Sequence, residues 1–186
     1  MRALRLALAL AVLSTANVPG QDLDFQASER KIVRLPPTAF RVLPASVVRE
    51  LQRRGCTIPQ EAYSKTLNNV VSGQFARRRQ KDWAVLCSIK GASSILVFWN
   101  GSATNPADLA RSEDMNYLQS GADDKILFSR GISAAGSDFI MKHYHAHGGP
   151  RPPRVDHQGI DDAFLEKASV TLYFFGGKWL QLTGSD

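Results

Sequence analysis

Three histidines at alternate positions, His143, His145 and His147, form the densest set of side chains able to do chemistry, with Asp156-His157 and Asp161-Asp162 downstream. Imidazole together with carboxylate is zinc-ligand chemistry. On a strand, which the pattern over 138–144 suggests, alternate histidines share a face, but His143 and His147 then lie about 13 Å apart. That is too far to share one ion. The set that remains pairs neighbouring histidines with a downstream ligand: His143, His145, His157 and Asp156, for zinc or another divalent cation. Such a centre would serve a metal-assisted hydrolase. The competing reading needs no cofactor: the histidines decorate a solvated strand end, and Asp161-Asp162 opens a helical turn over 161–167. His157 beside Asp156 also has the makings of a positioned base, although sequence neighbours point in different directions.

A second chemistry is anion recognition. Arg77, Arg78, Arg79 and Lys81 place four cations in five residues between two apolar runs. With Arg53, Arg54, Arg151 and Arg154 elsewhere, they suit an anionic envelope component or an acidic protein surface. The alternative is a solvated hairpin tip whose cations discourage edge pairing. Nucleophile chemistry fails on spacing. Gly131-Ile132-Ser133-Ala134-Ala135-Gly136 is one residue longer than a nucleophile elbow and precedes no expected helix. No glycine pattern for phosphate cradling occurs. The leading expectation is therefore a binding or interaction domain without evident catalysis, and the hydrolase is the alternative.

The compartment is legible at the start of the chain. Arg2 and Arg5, the apolar run 6–13 and the small residues Ser14-Thr15-Ala16 read as a secretory signal over 1–16. The longest wholly apolar run after Ala16 is Ile95 to Trp99, far too short for a membrane span. The expected product is soluble and secreted or periplasmic, where nucleic acid is not an expected partner. Loss of Arg2 and Arg5 with the signal reduces a formal charge of +6 and leaves the chain mildly basic. Cys56 and Cys87 are the two cysteines. In an oxidising compartment they are expected to pair, closing a loop of roughly thirty residues worth about 3–4 kcal/mol.

The elements that must position these groups centre on 68–101. In the run 82–90, Trp83, Val85, Cys87 and Ile89 face one way and Ala84, Leu86 and Ser88 the other. In 94–100, Ile95, Val97 and Trp99 alternate with Leu96 and Phe98. Two apolar faces mean cover on both sides, so this hairpin, turning at Gly91-Ala92-Ser93, should be central. Gly73, Phe75, Asp82 and Trp83-Ala84-Val85-Leu86 resemble one FG-GAP or VCBS-type repeat unit, in which a G-x-F strand end, a polar loop and an Asp precede an apolar strand. The resemblance, over Gly73 to Leu86, implies a strand–loop–strand unit. The family's calcium loop is replaced here by Ala76-Arg77-Arg78-Arg79-Gln80-Lys81, which brings no carboxylate ligand.

Around this centre, 17–43 reads as an extended N-terminal arm and 44–186 as a single globular domain. Residues 44–54 suggest a helix with Pro44 in its first turn, Ser46 as cap, Val47, Val48 and Leu51 as its apolar stripe and Gly55 as its stop. A Cys56–Cys87 bond would staple that helix to the central strand. A short helix is expected from Pro106 to about Arg111, strands over 70–75, 125–129 and 138–144, and a closing hairpin over 170–182 turning on Gly176-Gly177. The breaker-rich 148–159 must be a loop. The predicted class is α+β: a mostly antiparallel sheet of about seven strands, two short helices and one disulfide.

Overall fold

The computed structural model describes residues 20–121 and 125–184, so the signal expected over 1–16 lies outside the described residues. In chain order the first half runs α1 (Gly20–Arg30), β1 (Arg34–Leu35), α2 (Ala45–Arg54), β2 (Ile58–Pro59), β3 (Val70–Gly73), β4 (Asp82–Ile89), β5 (Ala92–Phe98) and β6 (Ala107–Glu113). The second half runs β7 (Leu118–Ser120), β8 (Ile126–Phe128), β9 (Arg130–Ala135), α3 (Ser137–His147), β10 (Gly159–Phe164), β11 (Ala168–Phe175) and β12 (Lys178–Thr183).

The two-faced hairpin of β4 and β5 is central, as its sequence requires. It lies inside the sheet β3-β4-β5-β6 and is buried along nearly its whole length. One face, with Trp83, Val85, Cys87, Leu96 and Phe98, packs against Val47 and Leu51 of α2. The other, with Ala84, Leu86, Ile95 and Val97, meets Ile132, Ile160 and Leu172 of a second antiparallel sheet, β12-β11-β10-β9. On the far side of that sheet Ile140 of α3 packs on Tyr173 and Leu182. The result is four layers: helix, sheet, sheet, helix. Two small two-stranded sheets, β1-β2 and β7-β8, flank them. None of the described helices is long and apolar enough to cross a membrane.

The α+β, antiparallel, disulfide-bonded class stands. Several elements inside it differ from expectation. The described residues hold twelve strands and three α-helices rather than seven and two. Residues 20–30 are helical, not extended. The segment after them belongs to the domain: Arg34 pairs with the buried Asp114 at 2.7 Å, and Phe40 and Leu43 enter the core. Residues 107–113 form an edge strand and not a helix, because pairing with β5 outweighs the helical suggestion of Asn105-Pro106 and the alanines. Residues 138–144 belong to a helix, not a strand, and 161–164 to a strand, not a helical turn.

The helix ending before Cys56 forms as expected, with Gly55 at φ +74° as its left-handed stop. Its cap differs, since Pro44 occupies the N-cap position and the Ser46 hydroxyl instead donates to Gly101 O at 3.0 Å. The central turn is also tighter than Gly91-Ala92-Ser93. Ile89 pairs with Ala92 directly, leaving Lys90 (φ +53°) and Gly91 (φ +82°) as a two-residue turn. Positive φ at both positions matches the twist that adjoining strands need. The closing hairpin turns in the same way on Gly176-Gly177. The Cys56–Cys87 disulfide is formed.

Candidate functional site

The basic turn is built by one carboxylate. Asp82, wholly buried at the start of β4, accepts hydrogen bonds from the backbone N–H of Phe75, Ala76 and Asn100 and from the Gln80 side chain, at 2.7–3.0 Å. Each oxygen serves two donors. A carboxylate so used fixes a loop much as a capping residue fixes a helix end. Arg79 takes positive φ (+66°) to turn the chain, and its N–H donates to Gln74 Oε1 at 2.6 Å. The turn therefore presents Arg77, Arg78, Arg79 and Lys81 to solvent from a rigid frame. Lys81 Nζ rests 5.0 Å from the centre of the Trp83 ring.

Gln74 also connects this turn to a second basic loop. Gln158 N–H donates to Gln74 O and Gln74 N–H donates to Gln158 Oε1, both at 2.9 Å. The approach is close enough that a Cβ on Gly73 would lie 2.5 Å from the Phe75 ring and 3.0 Å from Gln158 Oε1. A larger residue at 73 would have to push aside the buried Phe75 ring and the end of the Gln158 side chain. Arg151 and Arg154 are exposed on the loop that Gln158 ends. None of the six cations, Arg77, Arg78, Arg79, Lys81, Arg151 and Arg154, forms an ion pair among the described residues. Arg53 and Arg54 are different. Both are held by Glu50 within their own helix, at 2.8 and 2.7 Å, so they stand apart from the unpaired set.

The histidine cluster is rearranged by α3. Residues two apart on a helix project about 200° from each other, so His143 and His145 do not share a face. His143 and His147, which a strand would separate, are instead neighbours with ring centroids 4.8 Å apart. His143 is buried against β11, its Nδ1 3.2 Å from the Thr171 hydroxyl, while His145 is exposed. His157 is buried with Nδ1 3.0 Å from Gln158 O, whereas Asp156 is exposed. Among the described residues no group of three His, Cys, Asp or Glu side chains is gathered as a metal site, so His143, His145, His157 and Asp156 are not brought together.

Comparison with family models, characterised proteins and solved structures finds no match. The site must be read from its own geometry.

That geometry places Asp161, not Asp156, beside His143. Asp161 pairs across the ladder with Thr171, so both point from the second sheet towards α3. Burial, then the neighbouring His147, hold His143 below its ordinary value, with Asp161 and the Thr183 backbone pulling the other way. Burial raises Asp161 above the usual carboxylate range, against the Ser169 hydroxyl and His143. His143 Nε2 and Asp161 Oδ1 are buried without a hydrogen-bond partner. Asp162, one residue on, faces the opposite way and binds Arg130 through two parallel bonds of 2.9 and 2.8 Å.

Sequence reasoning found the basic turn and the two downstream arginines but missed Asp82, Gln74 and Gln158, which hold them in place. The only sequence signal for these was Gly73-x-Phe75 followed by Asp82. Asp82 organises the loop by accepting hydrogen bonds from N–H donors at both of its ends.

Proposed function

We propose that the protein is an exported binding domain whose basic edge, formed by the turn 77–81 and the loop 148–158, holds an anionic envelope component or an acidic protein surface. The observation carrying this reading is the Gln74–Gln158 junction, which ties two loops with six unpaired cations to one edge of the sandwich. A loose cationic tip serves solubility alone. A tip fixed by a buried carboxylate and locked to a second cationic loop has its side-chain anchors ordered before any partner arrives, which lowers the ordering cost of binding. The secretory pattern over 1–16 supports a partner in the periplasm or outside the cell. The disulfide agrees with an oxidising compartment.

The test is co-sedimentation of the mature protein with isolated envelopes over a salt series. Retention should weaken steeply as salt rises, because exposed charges are screened within about 8–10 Å at physiological strength. Arg77→Glu/Arg78→Glu/Arg79→Glu should abolish retention at low salt, and Arg151→Glu/Arg154→Glu should weaken it independently. Since all five side chains are exposed, melting temperature should stay near that of the parent. Retention that survives both sets of reversals would remove the basic edge from the explanation.

A further inference from the structure

A cavity lined by residues other than those of the basic edge differs from it in chemistry. It is a groove of about 900 Å³ between the end of α1 with the segment after it, the loop 60–68, and β8. This lies within the range of clefts that enclose small organic ligands, about 300–1,000 Å³. Leu35, Ile126, Leu127 and Phe128 contribute apolar surface to it. Val33 and Leu67, which also line it, are 59% and 58% exposed, an unusual position for large aliphatic side chains on a well-packed domain.

The exposed charged side chains among the described lining residues are of one sign. Lys31 and Lys65 line it, are exposed, and pair with no carboxylate among the described residues. Glu61 is the one carboxylate among the described lining residues, and it is buried and committed. It accepts the Tyr63 N–H at 2.8 Å and a weaker contact from Asn68 Nδ2 at 3.5 Å. The wall is held open by its own bonds. Asn68 N–H donates to Gln60 Oε1 at 3.0 Å, and Glu61 N–H donates to Asn68 Oδ1 at 2.9 Å. A trough with apolar walls, compact ammonium groups and no available acid among the described residues is complementary to a chain that is apolar along its length and anionic at one end.

We infer that this groove is a binding site for a single-chain amphiphilic anion of the fatty-acid type. The alkyl chain lies along Val33, Leu67 and the β8 side chains, and the carboxylate meets Lys31 and Lys65. Burying the chain removes from water the apolar surface that the fold leaves exposed. The two ammonium groups select the charged end.

Isothermal titration of the full mature chain with decanoate tests this, with decanol and acetate as controls for chain without charge and charge without chain. Decanoate should bind saturably below its micelle concentration, decanol at least about tenfold more weakly, and acetate not detectably; a tenfold change is about 1.4 kcal/mol. Val33→Asp/Leu67→Asp and Lys31→Glu/Lys65→Glu should each weaken decanoate by about tenfold or more. All four positions are exposed, and an unchanged melting temperature confirms that the variants fold. Arg77→Glu/Arg78→Glu/Arg79→Glu should leave decanoate binding intact, which separates failure of this site from failure of the basic edge. The inference is overturned if acetate or decanol matches decanoate, or if either variant pair binds like the parent. It is also overturned if sedimentation shows a dimer that Leu67→Asp dissolves, because the groove would then be covered by a second copy.

Discussion

His143 is buried and Asp161 half-buried beside it, and burial is the first cause of the shift in each. His143 is held neutral by burial and by His147, so its value in the fold lies below the 6.5 of a free imidazole. The unfolded chain therefore takes up the proton first as pH falls, and stability declines from about that value down to the lowered one. Asp161 works in the opposite sense. Its folded value lies above the ordinary 3.8, so at neutral pH its half-buried charge costs stability, and that cost is relieved as pH falls through the raised value. Urea midpoints measured from pH 4 to 8 should show both slopes. Asp161→Asn should stabilise the protein at pH 7 and remove the gain on the acid side. His143→Gln, which keeps a polar group near Thr171, should flatten the decline below about pH 6.5. Parallel curves for parent and variants would show that neither group titrates differently in the fold.

At the scale of elements, α2 is held by its apolar stripe and by the bond from Cys56 to Cys87, which joins residues 31 apart. Chain-entropy reasoning values such a closure at about 3–4 kcal/mol. Cys56→Ser/Cys87→Ser should lower the unfolding free energy by roughly that amount. Amide exchange should then rise first in α2 and β2, since Thr57 bonds to β4 beside the bridge. Equal exchange in the two proteins would mean that packing alone holds the helix. This part of the fold was legible because its signals are local: a stripe at Val47 and Leu51, a glycine stop, and a strand alternating between two apolar faces. The misread elements share one cause, which is that their determinants are distant. Residues 137–147 carry a helical stripe at Ile140, His143 and Tyr144, but two of the three are polar enough to disguise it, and only the pocket under Thr171 buries the histidine. Asp162 resembles a helix-opening acid until Arg130, 32 residues earlier, is seen to neutralise it. The edge strand β6 has mostly polar side chains, and its partner β5 supplies the conformation. The candidate site followed the same rule: its cations were visible in one run of sequence, while Gln74 and Gln158, 84 residues apart, were not.

On the scale of the whole molecule, the two large sheets meet through apolar side chains and one charged joint. Arg130 begins β9 and is fully buried. It binds Asp162 on the neighbouring strand of its own sheet, and across the interface it donates to Ser93 O and Oγ at 3.1 and 3.0 Å and to Ala110 O at 2.6 Å. Ala110 lies where β5 and β6 slip register between Ser93 and Ile95, at φ +51°. The bulge turns a carbonyl that a regular ladder would have consumed towards the guanidinium. The Tyr117 ring covers the group at 4.5 Å. Apolar faces alone slide at little cost, whereas a guanidinium with fixed acceptors on both sheets permits one alignment. Asn69 supports the same alignment at the β3 edge, donating to Pro59 O and Arg130 O and accepting from Ile132 N–H. Arg130→Met should therefore be severe. It leaves Asp162 buried and unpaired along with two carbonyls, and breaking such a pair costs about 3–5 kcal/mol. Arg130→Met/Asp162→Leu should recover much of that loss, because a buried ion pair contributes little net stability over apolar residues of similar volume. Urea denaturation of the three proteins measures both effects. If the single variant loses less than about 1 kcal/mol, an ordinary surface-like value, the sheets are aligned by packing and Arg130 is not the joint.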